Sequence, residues 1–169
     1  MNSPASPSIP FTSIGTIRSP WTDIAGMPVQ PPGAAGVRGT ILIDERYAAG
    51  LCDIGGFSRL ILIYALHKTN GYALEVVPFL DTVPHGIFAT RSPKRPNAIG
   101  LSVVRFVAVN GNELTVEDID ILDGTPLLDI KPYVPAFDSF PDGKAGWFDR
   151  CCHNVETTRS DDRFCSDDR

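Results

Sequence analysis

Apolar residues along the chain come in short bursts bounded by Gly, Pro and Asn-Gly pairs, and no heptads run through them. Arg59 to Leu66 (RLILIYAL) is a continuous apolar run suited to a buried strand, and Asn70-Gly71 separates it from Tyr72 to Phe79 (YALEVVPF), which predicts a hairpin. Ser102 to Val109, Asn110-Gly111 and Glu113 to Glu117 predict a second hairpin, the Asn-Gly pair supplying the positive φ angles of a tight turn. Shorter strands are expected at Ile14 to Ile17 and Thr40 to Ile43, with one helical turn over Glu45 to Leu51. Ser19 to Gly36 is too rich in Pro and Gly for a helix, and irregular loops of that length are often functional. Hairpins on both sides of a long loop, without a βαβ rhythm, predict a mainly β protein: a small closed or nearly closed antiparallel β-barrel with long loops. No G-x-G-x-x-G follows a strand and no Walker A loop is present, so the expected fold is non-Rossmann.

Composition sharpens this picture. The 169 residues suit one domain, and 15 glycines with 15 prolines agree with many turns. Residues 1–10 are Ser/Pro-rich and expected to be disordered, 11–150 are expected to form the barrel domain, and 151–169 a polar tail that is expected to fray from Ser160 onward. A net charge of -5 opposes a general nucleic-acid coat, so any RNA contact must be local. With neither a membrane-length apolar run nor a signal peptide, the expected location is cytoplasmic, with Cys52, Cys151, Cys152 and Cys165 as reduced thiols.

Candidate chemistry concentrates between Gly86 and Leu101. No acidic residue stands between Asp81 and Glu113, and this window holds Arg91, Lys94 and Arg95 on a loop punctuated by prolines. Arginine's planar fork suits carboxylate and phosphate, and prolines reduce the entropy lost on fixing the loop; a solvated basic turn is the plainer reading. His67, at the end of an apolar strand, has the plain reading of a hydrogen-bonded framework residue. Cys151, Cys152, His153 and Cys165 invite a zinc reading, but adjacent cysteines lack the usual C-x2-C spacing, and no metal is expected.

The wording of this loop is specific. Phe88-Ala-Thr-Arg-Ser-Pro, Arg95-Pro-Asn97 and Ile99-Gly-Leu-Ser102 resemble the central motif of the TsaA-like family, whose characterised members include the TrmO tRNA methyltransferases. Leu122-Asp-Gly-Thr-Pro-Leu-Leu-Asp-Ile-Lys-Pro-Tyr133 resembles its second hallmark, and Ile14-Gly-x-Ile17, Pro28-x-Gln30 and Gly56-Phe-Ser58 are weaker echoes. The resemblance implies a small barrel that binds S-adenosylmethionine (SAM), works as a homodimer, and methylates N6 of threonylcarbamoyladenosine beside the tRNA anticodon. It implies a cofactor pocket of Pro28, Val29, Gln30, Leu66, His67, Arg91, Leu101, Leu122, Asp123, Gly124 and Thr125. Arg95, Asn97, Asp129, Lys131 and Tyr133 are its implied catalytic or acceptor-holding residues, Arg95 being suited to the threonylcarbamoyl carboxylate.

The chain departs from the family pattern at Val29, Arg59, Lys94 and Ala98, and on this sequence the extra C-terminal domain of longer bacterial members is not expected. Three readings follow: a tRNA methyltransferase or one acting on another acceptor, a non-catalytic SAM- or RNA-binding module, and a small metal-binding protein using the cysteine cluster.

Overall fold

A computed structural model describes residues 7–151, 154–161 and 163–164. Six strands close an antiparallel barrel: β1 (Gly15–Arg18), β2 (Arg38–Ile43), β3 (Arg59–Ala65), β6 (Ile99–Asn110), β7 (Glu113–Glu117) and β8 (Thr125–Pro132). Their order around the barrel is β1-β2-β7-β6-β3-β8, and β8 returns to β1. Two short strands, β4 (Glu75–Val76) and β5 (His85–Gly86), pair outside it. Closure leaves none of the barrel strands with a bare edge, as expected for so small a sheet.

Period-two patterning builds the interior. Along β3, Leu60, Leu62 and Tyr64 point inward and are buried, while Ile61, Ile63 and Ala65 face outward and are half-buried. The inward residues join Ile17, Ile41, Val104, Leu114, Val116 and Leu127 in one core, which Ile119 and Ile121 extend at one end. At Gly100 a Cβ would run into the Tyr64 ring, so glycine there is what lets that ring lie across β6.

The Asn110-Gly111 hairpin forms as its sequence predicts, with Gly111 at φ 60° and β6 paired to β7. The other expected hairpin does not. Both edges of β3 are taken, by β6 and by β8, so residues 72–79 have no strand to join. Pro78 also removes an amide there, and only Glu75 and Val76 pair, with β5. Glu45–Leu51 folds as a 3-10 helix, its Asp44 side chain accepting from the Arg46 amide.

The segment after Arg150, expected to be a polar tail frayed from Ser160 onward, folds back in its described part. Gly26 donates to the Ser160 carbonyl and the Ser160 amide to Met27, both at 2.8 Å. Phe164 packs with Val76 and Ile87 and meets Phe79 edge-on, ring centroids 5.0 Å apart. One aromatic anchor and these backbone bonds hold the segment against the barrel loops. Among the described residues no helix is long and apolar enough to cross a membrane.

Candidate functional site

Antiparallel pairing brings the end of β3, the start of β6 and the β7–β8 connection to one mouth of the barrel, since Ala65 pairs with Ile99 and Tyr64 with Leu127. Over that mouth lie the loop between β1 and β2, the loop between β5 and β6, and the folded-back C-terminal segment. Together they wall a cleft of about 1290 Å³. Its volume and mixed lining suit a cofactor-sized ligand with further room beside it.

Of the cofactor residues implied by the sequence, Pro28, Val29, Gln30, Leu66, His67, Arg91, Leu101, Leu122 and Thr125 line this cleft. Arg91 Nη1 donates to Gln30 Oε1 at 2.9 Å, tying the two long loops across it. Asp123 and Gly124 stand behind the lining. The Asp123 side chain accepts from the Ser19 amide at 3.1 Å and lies 3.5 Å from Arg18 Nη1. Gly124, at φ 74°, donates its amide to the Ile17 carbonyl at 2.9 Å. These contacts fix the turn that presents Leu122 and Thr125, and the left-handed φ is the reason for glycine.

The five implied acceptor residues separate. Arg95 and Tyr133 line the cleft. Arg95 Nη1 donates to the carbonyls of Thr90 (2.8 Å) and Ile87 (3.2 Å), so part of its fork closes its own loop. Asn97 is exposed. Asp129 and Lys131 form an ion pair at 2.7 Å on the outward side of β8, beside Ile63 and Ile61. Asp129 also borders a smaller cleft of about 570 Å³ at the barrel's other end.

The structure adds residues that sequence reasoning passed over. Asp120 lines the cleft and accepts a hydrogen bond from Ser102 Oγ at 2.6 Å, and Ser102 Oγ lies 3.0 Å from the Tyr64 hydroxyl. Burial pushes the Asp120 carboxyl up to about 6, against the opposing pull of the Ser102 bond and of Arg91. The Tyr64 phenol is likewise raised, by burial first and then by the Asp120 charge. The available signal was an acid standing between the buried Ile119 and Ile121, directly before the second motif. Trp147, Phe148, Val155 and Phe164 complete the wall; Trp147 stacks on His85 (4.6 Å between centroids) and donates Nε1 to the Ala89 carbonyl at 2.7 Å. Cys151 is half-buried, and Cys152, His153 and Cys165 lie outside the described residues.

Residues 16–139 match the family model described as the tRNA-methyltransferase O N-terminal domain. The chain belongs to this family. A Pyrococcus abyssi relative, described as a probable S-adenosyl-L-methionine-binding protein, is 46% identical over 156 residues, covering 92% of this chain and 85% of that one. An Escherichia coli relative, named tRNA (adenine(37)-N6)-methyltransferase, is 35% identical over 150 residues, covering 83% of this chain and 64% of its own. The crystal structure of TrmO from Pseudomonas aeruginosa superposes with a TM-score of 0.70 at 34% identity, covering 83% of this chain and 62% of that one. This chain therefore spans less than two thirds of those two bacterial proteins, and the barrel fold is shared with the solved member.

Proposed function

We propose that this chain is a SAM-dependent methyltransferase acting on tRNA, with N6 of threonylcarbamoyladenosine beside the anticodon as the acceptor. The observation that carries the reading is that side chains of both family motifs meet in the cleft at the barrel mouth. Its donor set suits the cofactor: apolar walls from Leu66, Leu101 and Leu122 for adenine, a guanidinium at Arg91 for a carboxylate, and an acid at Asp120 for positive charge. SAM would supply the methyl group: the acceptor nitrogen's lone pair forms the new bond, the C–S electron pair returns to sulfur, and the nitrogen's proton is released to solvent. The protein's part is to hold the acceptor in line at near-contact distance and exclude water. Tyr133, which also lines the cleft, would position the acceptor, and Arg95 would hold the shape of the loop that faces it.

The homodimer belongs to this reading. Leu101 and Ile99 are 49% and 38% exposed, and with Ile61, Ile63 and Val103 they make an apolar strip on the outer face of β3 and β6 that continues the cleft wall. Asp129 and Lys131 border that strip, and a second copy packed on it would meet them beside the cleft. Sedimentation at micromolar concentration is expected to give the mass of two chains; a single-chain mass would remove this part of the proposal. A cytoplasmic location belongs to the same reading and is supported by the tRNA substrate proposed here.

The deciding experiment incubates the protein with methyl-labelled SAM and total tRNA, then digests the RNA and identifies labelled nucleosides by mass spectrometry. Label on methylated threonylcarbamoyladenosine is expected; label on another nucleoside corrects the acceptor, and cofactor binding without transfer supports a non-catalytic module. Arg91→Ala is expected to weaken cofactor binding by about 1.5 kcal/mol, roughly tenfold, as for one lost charge-assisted hydrogen bond. Calorimetric titration measures it, and unchanged affinity would move the carboxylate away from Arg91.

A further inference from the structure

Among the described residues, the cleft is lined by three carboxylates, Asp118, Asp120 and Asp161. Asp118 accepts from the Gly36 amide at 2.9 Å and from Arg59 at 3.4 Å. Asp161 is forked by Arg163 at 2.9, 3.0 and 2.7 Å. Asp120 bonds a hydroxyl instead, the Ser102 Oγ at 2.6 Å. A serine hydroxyl carries one proton, so with that proton given to Asp120 the 3.0 Å contact to Tyr64 has the phenol as donor. The order Tyr64 to Ser102 to Asp120 turns both hydroxyl dipoles toward the carboxylate. Such a relay steadies a negative charge without cancelling it. Arg91, on the facing loop, acts on Asp120 only through space, its Nη1 being engaged by Gln30. The other charged groups lining the cleft are the paired Asp118 and Arg59, Asp161 held by Arg163, Arg95 on the facing loop, and His67 with Lys68 at the end of β3.

An uncancelled carboxylate in a partly dry cleft is costly to the empty protein and selects for a ligand that brings positive charge. We infer that Asp120 is the counter-charge to the cationic sulfur centre of the cofactor, and that it lets this cleft tell S-adenosylmethionine from S-adenosylhomocysteine. The inference rests on the cofactor reading above and deepens it. The two molecules share adenosine, ammonium and carboxylate, and differ by one methyl group and one positive charge. Only a group that answers that charge separates them strongly, since a methyl in an apolar slot is worth far less. The methyl transfer removes the charge, so Asp120 holds the loaded cofactor and loosens its grip on the spent one.

Calorimetric titration of both ligands against wild type and Asp120→Asn tests this. The substitution keeps an oxygen to accept from Ser102. It is expected to weaken S-adenosylmethionine by roughly tenfold or more while shifting S-adenosylhomocysteine less than about threefold, and retained binding of the latter shows that the site still folds. A second arm follows the ratio of the two affinities in wild type as pH falls. Protonation of Asp120 should erode the preference for S-adenosylmethionine as pH falls below about 6. Equal losses for both ligands in a folded Asp120→Asn protein would put the acid against the shared ammonium and overturn the inference. A pH-independent ratio in wild type overturns it too, and decides the matter should Asp120→Asn fail to fold. Wild type that binds neither ligand would instead sink the cofactor reading itself.

Discussion

Arg95→Ala is expected to weaken cofactor binding and methyl transfer together, each by roughly a hundredfold. The family resemblance puts Arg95 against the methyl acceptor and Arg91 against the cofactor, which predicts that the two substitutions separate cleanly. The geometry changes that expectation. Arg95 Nη1 bonds the carbonyls of Thr90 and Ile87, and its guanidinium lies 5.9 Å from the centre of the Phe88 ring. Thr90 Oγ1 in turn donates to Ile87 at 2.9 Å and accepts from the Ser92 amide at 3.2 Å. Arg95 thus closes the turn that aims Arg91 at Gln30. Two charge-assisted bonds at about 1.5 kcal/mol each make about 3 kcal/mol, which is roughly two decades of affinity. Arg95→Lys keeps the charge but carries it on a shorter, more mobile head, so it should recover only part of the loss. Calorimetry with S-adenosylmethionine and single-turnover methylation on both variants give the two readouts. Loss of transfer with unchanged cofactor affinity would return Arg95 to the acceptor and reduce its loop contacts to incidental ones.

What was legible in the sequence depended on how local the cause was. The β6–β7 hairpin is announced by Asn110-Gly111 because a left-handed turn and period-two alternation are properties of neighbouring residues. The same signal at Asn70-Gly71 misled, because the partner of β3 is set by barrel closure, which is written in no short window. β8 was legible only as a motif: Pro126 and Pro132 lie within it, and its pairing with β1 links Ile17 to Thr125 across most of the chain. The cleft lining followed from family wording, which records which positions face one ligand without saying how. It could not reveal that Arg95 is spent on backbone carbonyls, or that Asp129 and Lys131 stand outside the cleft. Asp120 escaped notice for a related reason. Its role depends on Ser102 and Tyr64, which are remote in sequence and meet it only at the barrel mouth.

Asp120→Asn should also make the ligand-free protein more stable at neutral pH, by up to about 3 kcal/mol. Burial raises the folded carboxyl from 3.8 to about 6, so between those values the native state binds the proton more tightly than the unfolded chain does. The sign follows directly. The native advantage of the protonated acid is fully present below 3.8 and is lost as pH rises through about 6, so the wild-type fold weakens across that window. A difference of 2.2 units between those two values corresponds to about 3 kcal/mol at 1.36 kcal/mol per unit, an upper figure because Asp120 is only half-buried. Asparagine carries no charge, so its unfolding free energy should lack this step and meet the wild-type value near pH 4. Urea unfolding from pH 4 to 8, without ligand, compares the two curves. The expected outcome is a variant that gains stability with rising pH relative to wild type while losing its grip on the charged cofactor, the usual cost of holding a charge ready for a ligand. Parallel curves, offset by the same amount at every pH, would mean that Asp120 is already well solvated in the empty cleft and that the cleft stores no electrostatic strain for its ligand to relieve.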